Sequence, residues 1–160
     1  MVDAGVPSDA GRGGPTFTIR HATAKDSVSI RRLIESVGIN PTGLRWPRFL
    51  VAVDGKDGVV GCGQLKEHAG GMLELASIAV QPEYRGWGVA SAIIRRLLAS
   101  VERPVYLMCR SGLVTMYEAF GFRRLPYDDM PRYFQRVVKL AGLAEYFAAT
   151  GESLAVMKLD

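Results

Sequence analysis

Residues 74–109, ELASIAVQPEYRGWGVASAIIRRLLASVERPVYLMC, constrain the fold more than any other part of the chain. Two apolar runs, Met72–Val80 and Val105–Cys109, have the length and composition of strands. Between them, Gly86–Val101 has helical periodicity. Val89, Ala90, Ile93, Ile94, Leu97, Leu98 and Val101 fall on one face, while Arg95 and Arg96 lean out. A strand, a helix and a second strand in that order predict a right-handed crossover, which makes the two strands parallel.

The flanking segments supply the rest of an α/β fold. Thr16–His21 is predicted as a strand. A helix follows from Asp26, its expected cap, to Gly38, with Val28, Ile30, Leu33, Ile34 and Val37 as its apolar face. The loop INPTGLRWP (residues 39–47) leads to a meander: Phe49–Val53, a turn at Asp54–Gly58, Val59–Glu67, a Gly70-Gly71 turn, and Met72–Val80. After Val105–Cys109 come a short helix, Leu113–Phe120, stopped by Gly121, a helical stretch over Arg132–Leu143, and a last strand, Ser153–Leu159. The sheet is therefore mixed and mostly antiparallel. The expected organisation is a disordered leader over 1–14, rich in Gly, Pro, Ala and Asp, and one domain over 15–160.

Several function classes lose their support at this level. A net charge of +4 comes from Lys and Arg spread along the chain, which argues for no nucleic-acid partner. No apolar run is long enough for a membrane span or signal peptide, so a cytoplasmic protein is expected. Cys62 and Cys109 each sit in an apolar strand and read as buried reduced thiols. With His21 and His68 they form no metal-ligand spacing, and no metal is expected.

Two glycines where a strand hands over to a helix point to an anion at the helix start. A P-loop would need GxxxxGK[ST], which is absent. A dinucleotide fingerprint would need GxGxxG directly after the strand. Residues 86–91 give GxGxxS, five residues past Val80, and the later acidic residue is replaced by Cys109-Arg110. An arginine there can meet a 2′-phosphate, so an NADP-binding protein stays open as an alternative. Gly61-Cys62-Gly63 lies inside a strand and is no phosphate loop.

The run Arg85-Gly86-Trp87-Gly88-Val89-Ala90 has the form R-x-x-G-x-A and follows Val80-Gln81-Pro82. It resembles the pyrophosphate loop of the GNAT N-acetyltransferase superfamily, and Met116–Phe122, MYEAFGF, resembles that family's second signature. The resemblance runs from about Thr16 to the C-terminus. It implies a GNAT-like sheet whose parallel central pair splays to admit acetyl-CoA as co-substrate. Backbone groups of Ile78, Ala79 and Val80 would meet the pantetheine arm, and those of Arg85, Gly86, Trp87, Gly88, Val89, Ala90 and Ser91 the pyrophosphate.

The chemistry so implied is direct attack of an amine on the thioester, with an oxyanion to stabilise near Ile78. Tyr117 occupies the position of a general acid toward the departing thiolate; the alternative is a core tyrosine with a satisfied hydroxyl. Glu74, six residues before Val80, occupies the position of a general base and is expected to share a strand face with Ala76 and Ile78. Its alternative is a surface glutamate paired with a basic residue. The acceptor is expected to be a small-molecule amine. A looser resemblance to the acetyltransferase domain of N-acetylglutamate synthases adds amino acids such as glutamate. Arg132, Arg136 and Lys139 share one helix face, either bordering the acceptor or simply solvated. Arg45 and Trp46 stand at the expected acceptor entrance. A non-catalytic acyl-CoA sensor is the other alternative, and a homodimer is what the resemblance implies for assembly.

Overall fold

A computed structural model describes residues 13–141 and 151–160. Among these residues, seven strands and four helices make a mixed α/β fold. The strands are β1 (Thr18–His21), β2 (Phe49–Val53), β3 (Val59–Glu67), β4 (Leu73–Val80), β5 (Val105–Arg110), β6 (Arg123–Arg124) and β7 (Leu154–Leu159). The helices are α1 (Ser27–Ser36), α2 (Val89–Ala99), α3 (Val114–Glu118) and α4 (Arg132–Ala141). The sheet order is β1-β2-β3-β4-β5-β7-β6, mostly antiparallel with one parallel pair. The predicted leader falls largely on residues 1–12, and the end of the predicted last helix on 142–143. Both lie outside the described residues.

The chain divides into two compact units. Among the described residues, one comprises residues 13–66 and 75–101, the other 67–74, 102–141 and 151–160. In the first, β1 pairs antiparallel with β2 and β2 with β3. One face of this sheet buries Phe49, Val51, Val53 and Cys62 with Ile30, Leu33 and Ile34 of α1. These helix residues are the predicted apolar positions, spaced three and four apart. Val28 is the exception: it is 58% exposed, because it falls outside that stripe. Asp26 also departs from expectation. Its side chain does not cap α1 but accepts hydrogen bonds from the Thr23 amide (2.7 Å) and Arg20 (2.8 Å). The termination at Gly38 holds: its φ is +72°, and its amide reaches Glu35 O at 3.1 Å.

The opposite face of β3 carries α2, and Gly61 and Gly63 explain how. A Cβ built at Gly61 would stand 2.7 Å from Val89 Cγ1. One at Gly63 would stand 2.5 Å from Ile78 Cδ1 and 2.9 Å from Ile93 Cγ2. These glycines are room for the helix, not a phosphate loop. Arg96 of α2 does not simply lean out. It is half-buried and donates from its guanidinium to the Ile19 carbonyl at 2.9 Å.

In the second unit, β5 and β6 each pair antiparallel with β7. β6 is only two residues long and gives no strand pattern in sequence. Phe134 of α4 is fully buried against Leu125 and Val156, with Tyr106, Met108, Met130 and Val138 around them. α3 is shorter than predicted because residues 111–113 form a tight 3-10 turn ahead of it. Gly121, at φ +90°, closes it as expected, and Phe122 is buried edge-on to Tyr117.

Candidate active site

The glycine loop lies in the first unit. Pro82–Tyr84 form a 3-10 turn, and residues 85–88 carry the chain into α2, whose first residue is Val89. The helix therefore starts three residues later than its apolar pattern predicted. Gly86 and Gly88 stand at φ +78° and +81°, in the left-handed region that favours glycine. A Cβ on either would meet nothing within 4 Å, so the loop's front is open. The amides of Val89, Ala90 and Ser91 are the first three of the helix and have no intrahelical partner. With the helix dipole behind them, the residues present fit an anion such as a pyrophosphate. Arg85 donates from Nε to Val80 O at 3.2 Å, which ties the loop to the end of β4 and leaves that carbonyl one lone pair. Trp87 is 45% exposed, and its ring lies over Gly14, where a Cβ would come within 2.2 Å of it. Val89 turns its side chain into the core.

Ile78, Ala79 and Val80 close β4, and the chain is irregular just before them. Ser77 has φ +57°, a strained value for a residue with a side chain. The irregularity is pinned from β3: Gln64 Nε2 donates to Ser77 Oγ at 2.9 Å, and the Cys62 thiol to Ser77 O at 3.6 Å. Gln64 is fully buried, and its Oε1 has no hydrogen-bond partner. The expected face shared by Glu74, Ala76 and Ile78 is therefore not continuous, because strand alternation breaks at Ser77. Neither Ser77 nor Gln64 stood out in the sequence. A buried glutamine in an otherwise apolar strand was the available sign.

The proposed acid and base lie in the second unit. Tyr117 is buried, and burial pushes its phenol well above the usual tyrosine range. Its hydroxyl makes no hydrogen bond among the described residues, yet it is not an enclosed orphan, so the proton is unspent. Glu74 is buried too, and its Oε2 lies 2.6 Å from His68 Nε2. The alternative of a surface glutamate paired with a lysine or arginine does not describe it. In sequence, His68 and His21 lack metal-ligand spacing, and that alone gives His68 no role. Its position six residues from Glu74, across the Gly70-Gly71 turn, carried the signal.

Two arrangements bear on other readings. Burial raises the Cys109 thiol to about 11 and the Cys62 thiol to about 12. Both stay protonated near neutrality and are poor nucleophiles, which favours direct attack over an acyl-cysteine route. In the first unit, a groove of about 760 Å³ between α1 and residues 44–49 is lined by Arg31, Arg32, Arg45, Trp46 and Arg48. Arg31 pairs with Glu35 at 3.9 Å. The other three guanidiniums have no side-chain partner among the described residues. Arg132, Arg136 and Lys139 are exposed on α4. Among the described residues, no helix is long and apolar enough to cross a membrane, and no three metal-ligating side chains cluster.

This strand order, with a glycine cradle at the head of α2, defines a class. The profile of the acetyltransferase (GNAT) domain matches residues 45–124, half of the chain, and the protein belongs to the GNAT acetyltransferase family, which uses acetyl-CoA. Among solved structures, it is similar to N-acetylglutamate synthase from Neisseria gonorrhoeae complexed with coenzyme A and N-acetyl-glutamate. That likeness has TM-score 0.68 and 18% identity over 89% of this chain, and the chain spans about a third (34%) of that protein. It is also similar to Rv2747 from Mycobacterium tuberculosis in complex with CoA, with TM-score 0.65 and 24% identity over 88% of this chain and 97% of that one. Ard1 from Thermoplasma volcanium follows at TM-score 0.61, 18% identity, and 89% and 95% coverage. At these identities the likeness is one of fold. No curated protein matches the sequence.

Proposed function

We propose that this protein is an N-acetyltransferase that moves the acetyl group of acetyl-CoA to the amine of a small molecule carrying a carboxylate, an amino acid being the simplest such acceptor. The observation that carries the reading is the Gly86–Ser91 cradle, with positive-φ glycines, an open front and unspent helix amides, in a chain of the GNAT family. Those amides hold the pyrophosphate, and backbone groups of Ile78, Ala79 and Val80 hold the pantetheine arm. Removal of the amine's proton depends on Glu74, acting directly or through a group that it holds. Tyr117, still protonated at neutral pH, gives its proton to the thiolate that leaves. Direct attack is supported by the two inert thiols.

The acceptor's carboxylate is supported by the groove with three unpaired arginines, since guanidinium pairs bind carboxylates in a bidentate fork. The Neisseria neighbour, complexed with N-acetyl-glutamate, makes glutamate the first amino acid to try. The test is thiol release from acetyl-CoA by purified protein against glutamate, arginine, polyamines, aminoglycosides and short peptides. Release with amino acids alone supports the whole reading, and release with polyamines alone refutes the carboxylate. Thermal stabilisation by acetyl-CoA with no release anywhere would favour a sensor. No thermal shift with acetyl-CoA, but one with NADP, would overturn the reading of the loop.

A further inference from the structure

We propose that the amine's proton passes to His68 Nδ1, and that Glu74 acts by orienting the His68 ring and stabilising the imidazolium; this rests on the acetyl-transfer reading above. All the residues concerned lie in the second unit. His68 Nε2 and Glu74 Oε2 are 2.6 Å apart, with side chains 19% and 8% exposed. With Glu74 ionised its oxygen can only accept, which assigns the hydrogen to Nε2 and the lone pair of the neutral ring to Nδ1. Nδ1 makes no hydrogen bond among the described residues and is not an enclosed orphan. It is thus a ring nitrogen with no partner among the described residues.

The ring is held in place. The His68 amide donates to Met72 O at 2.8 Å, and the Gly71 amide donates to His68 O at 3.1 Å, which fixes the turn. The Tyr133 ring lies against the imidazole, centroids 4.2 Å apart, and Phe134 meets it edge-on at 6.4 Å. The titratable groups facing the ring are Glu74 from β4 and Tyr133 from α4; the phenol of Tyr133 is pushed upward by burial and by the Glu74 charge. An oriented carboxylate behind an imidazole favours the tautomer that accepts a proton on the far nitrogen and stabilises the cation formed there. Glu74 as the direct base would have to act through a buried carboxylate with one oxygen already engaged.

The step balances. The amine lone pair forms the new N–C bond, and the C–S bond pair leaves on sulfur, which takes a proton from the Tyr117 hydroxyl; that hydroxyl is reprotonated from water. The amine's proton goes to His68 Nδ1 and from there to water.

Two measurements test the assignment. The ¹⁵N chemical shifts of the His68 ring in the wild-type protein should show Nε2 protonated and Nδ1 bare at high pH. The reverse tautomer overturns the proposal whatever the activity. With the amine that the wild type turns over, His68→Ala should lower kcat about a hundredfold or more and remove the acidic limb of the pH–rate profile. Added imidazole should restore part of the rate. Glu74→Gln should cost much less in the His68→Ala background than alone. Activity of His68→Ala within threefold of wild type, or a loss with full additivity and no rescue in a protein that melts normally, overturns it. His68→Gln, closer in size, replaces the alanine variant if that one does not fold. A wild type that stabilises with acetyl-CoA but acetylates nothing on the panel instead refutes the acetyl-transfer reading, and this role with it.

Discussion

Gly63 gives the sharpest test of how the first unit is packed. In Gly63→Ala, the new methyl would lie 2.5 Å from Ile78 Cδ1, 2.9 Å from Ile93 Cγ2 and 3.3 Å from Leu97 Cδ1. Ordinary carbon–carbon contact is about 3.5–4.0 Å, so the closest pair must separate by about 1 Å. Ile93 is fully buried and Leu97 nearly so, which leaves α2 little freedom to yield. Overpacking of this kind costs about 1–3 kcal/mol. Against it stands about 0.4–1 kcal/mol from restricting the unfolded chain. The net is a loss of about 1–2 kcal/mol, or about 2–8 °C in Tm for a chain of this length. Urea and thermal melts measure it, with Gly55→Ala as control, because Gly55 has open space and no positive φ. Ile78→Val, which removes the clashing Cδ1, should recover part of the loss when combined with Gly63→Ala. If Gly63→Ala melts with or above Gly55→Ala, the close approach of α2 to β3 is wrong.

Three further outcomes are expected. Gly88→Val forces a branched side chain to φ +81°, at about 1–2 kcal/mol or more, and should raise KM for acetyl-CoA at least tenfold with kcat largely kept, as steady-state kinetics will show. Tyr117→Phe removes a hydroxyl that bonds nothing in the described protein, so Tm should hold while kcat falls about a hundredfold; an unchanged kcat removes the acid role. Asp26, held down to about 2 by Arg20 and the Thr23 amide, has a folded pKa below its ordinary 3.8. Its contribution is present above the unfolded value and is lost as pH falls through about 2. With Arg20 part-exposed, that contribution is about 1–2 kcal/mol, so Asp26→Asn should lose this much at pH 7 in urea melts and match the wild type near pH 2.

Sequence alone determined the elements and the glycine loop. Helix and strand periods are local, and so is the need for glycine at Gly86 and Gly88, where the backbone must turn left-handed. The β2, β3 and Asp54–Gly58 boundaries were legible because a turn residue and an apolar run mark each end. Tertiary structure decided what no period encodes. The two-residue β6 exists only through its pairing with β7. The left-handed Ser77 within β4 is held by Gln64 from the neighbouring strand, and a serine carries no local sign of that. Gly61 and Gly63 read in sequence only as strand positions, and no period shows that α2 packs against them. Glu74 was visible as a carboxylate among apolar residues, but its partner was not. The Gly70-Gly71 turn folds His68 back to within hydrogen-bond reach, and α4 lays Tyr133, 65 positions further along the chain, against its ring. A side chain's type and spacing are written in the sequence, but which groups share its proton depends on contacts that only the folded chain makes.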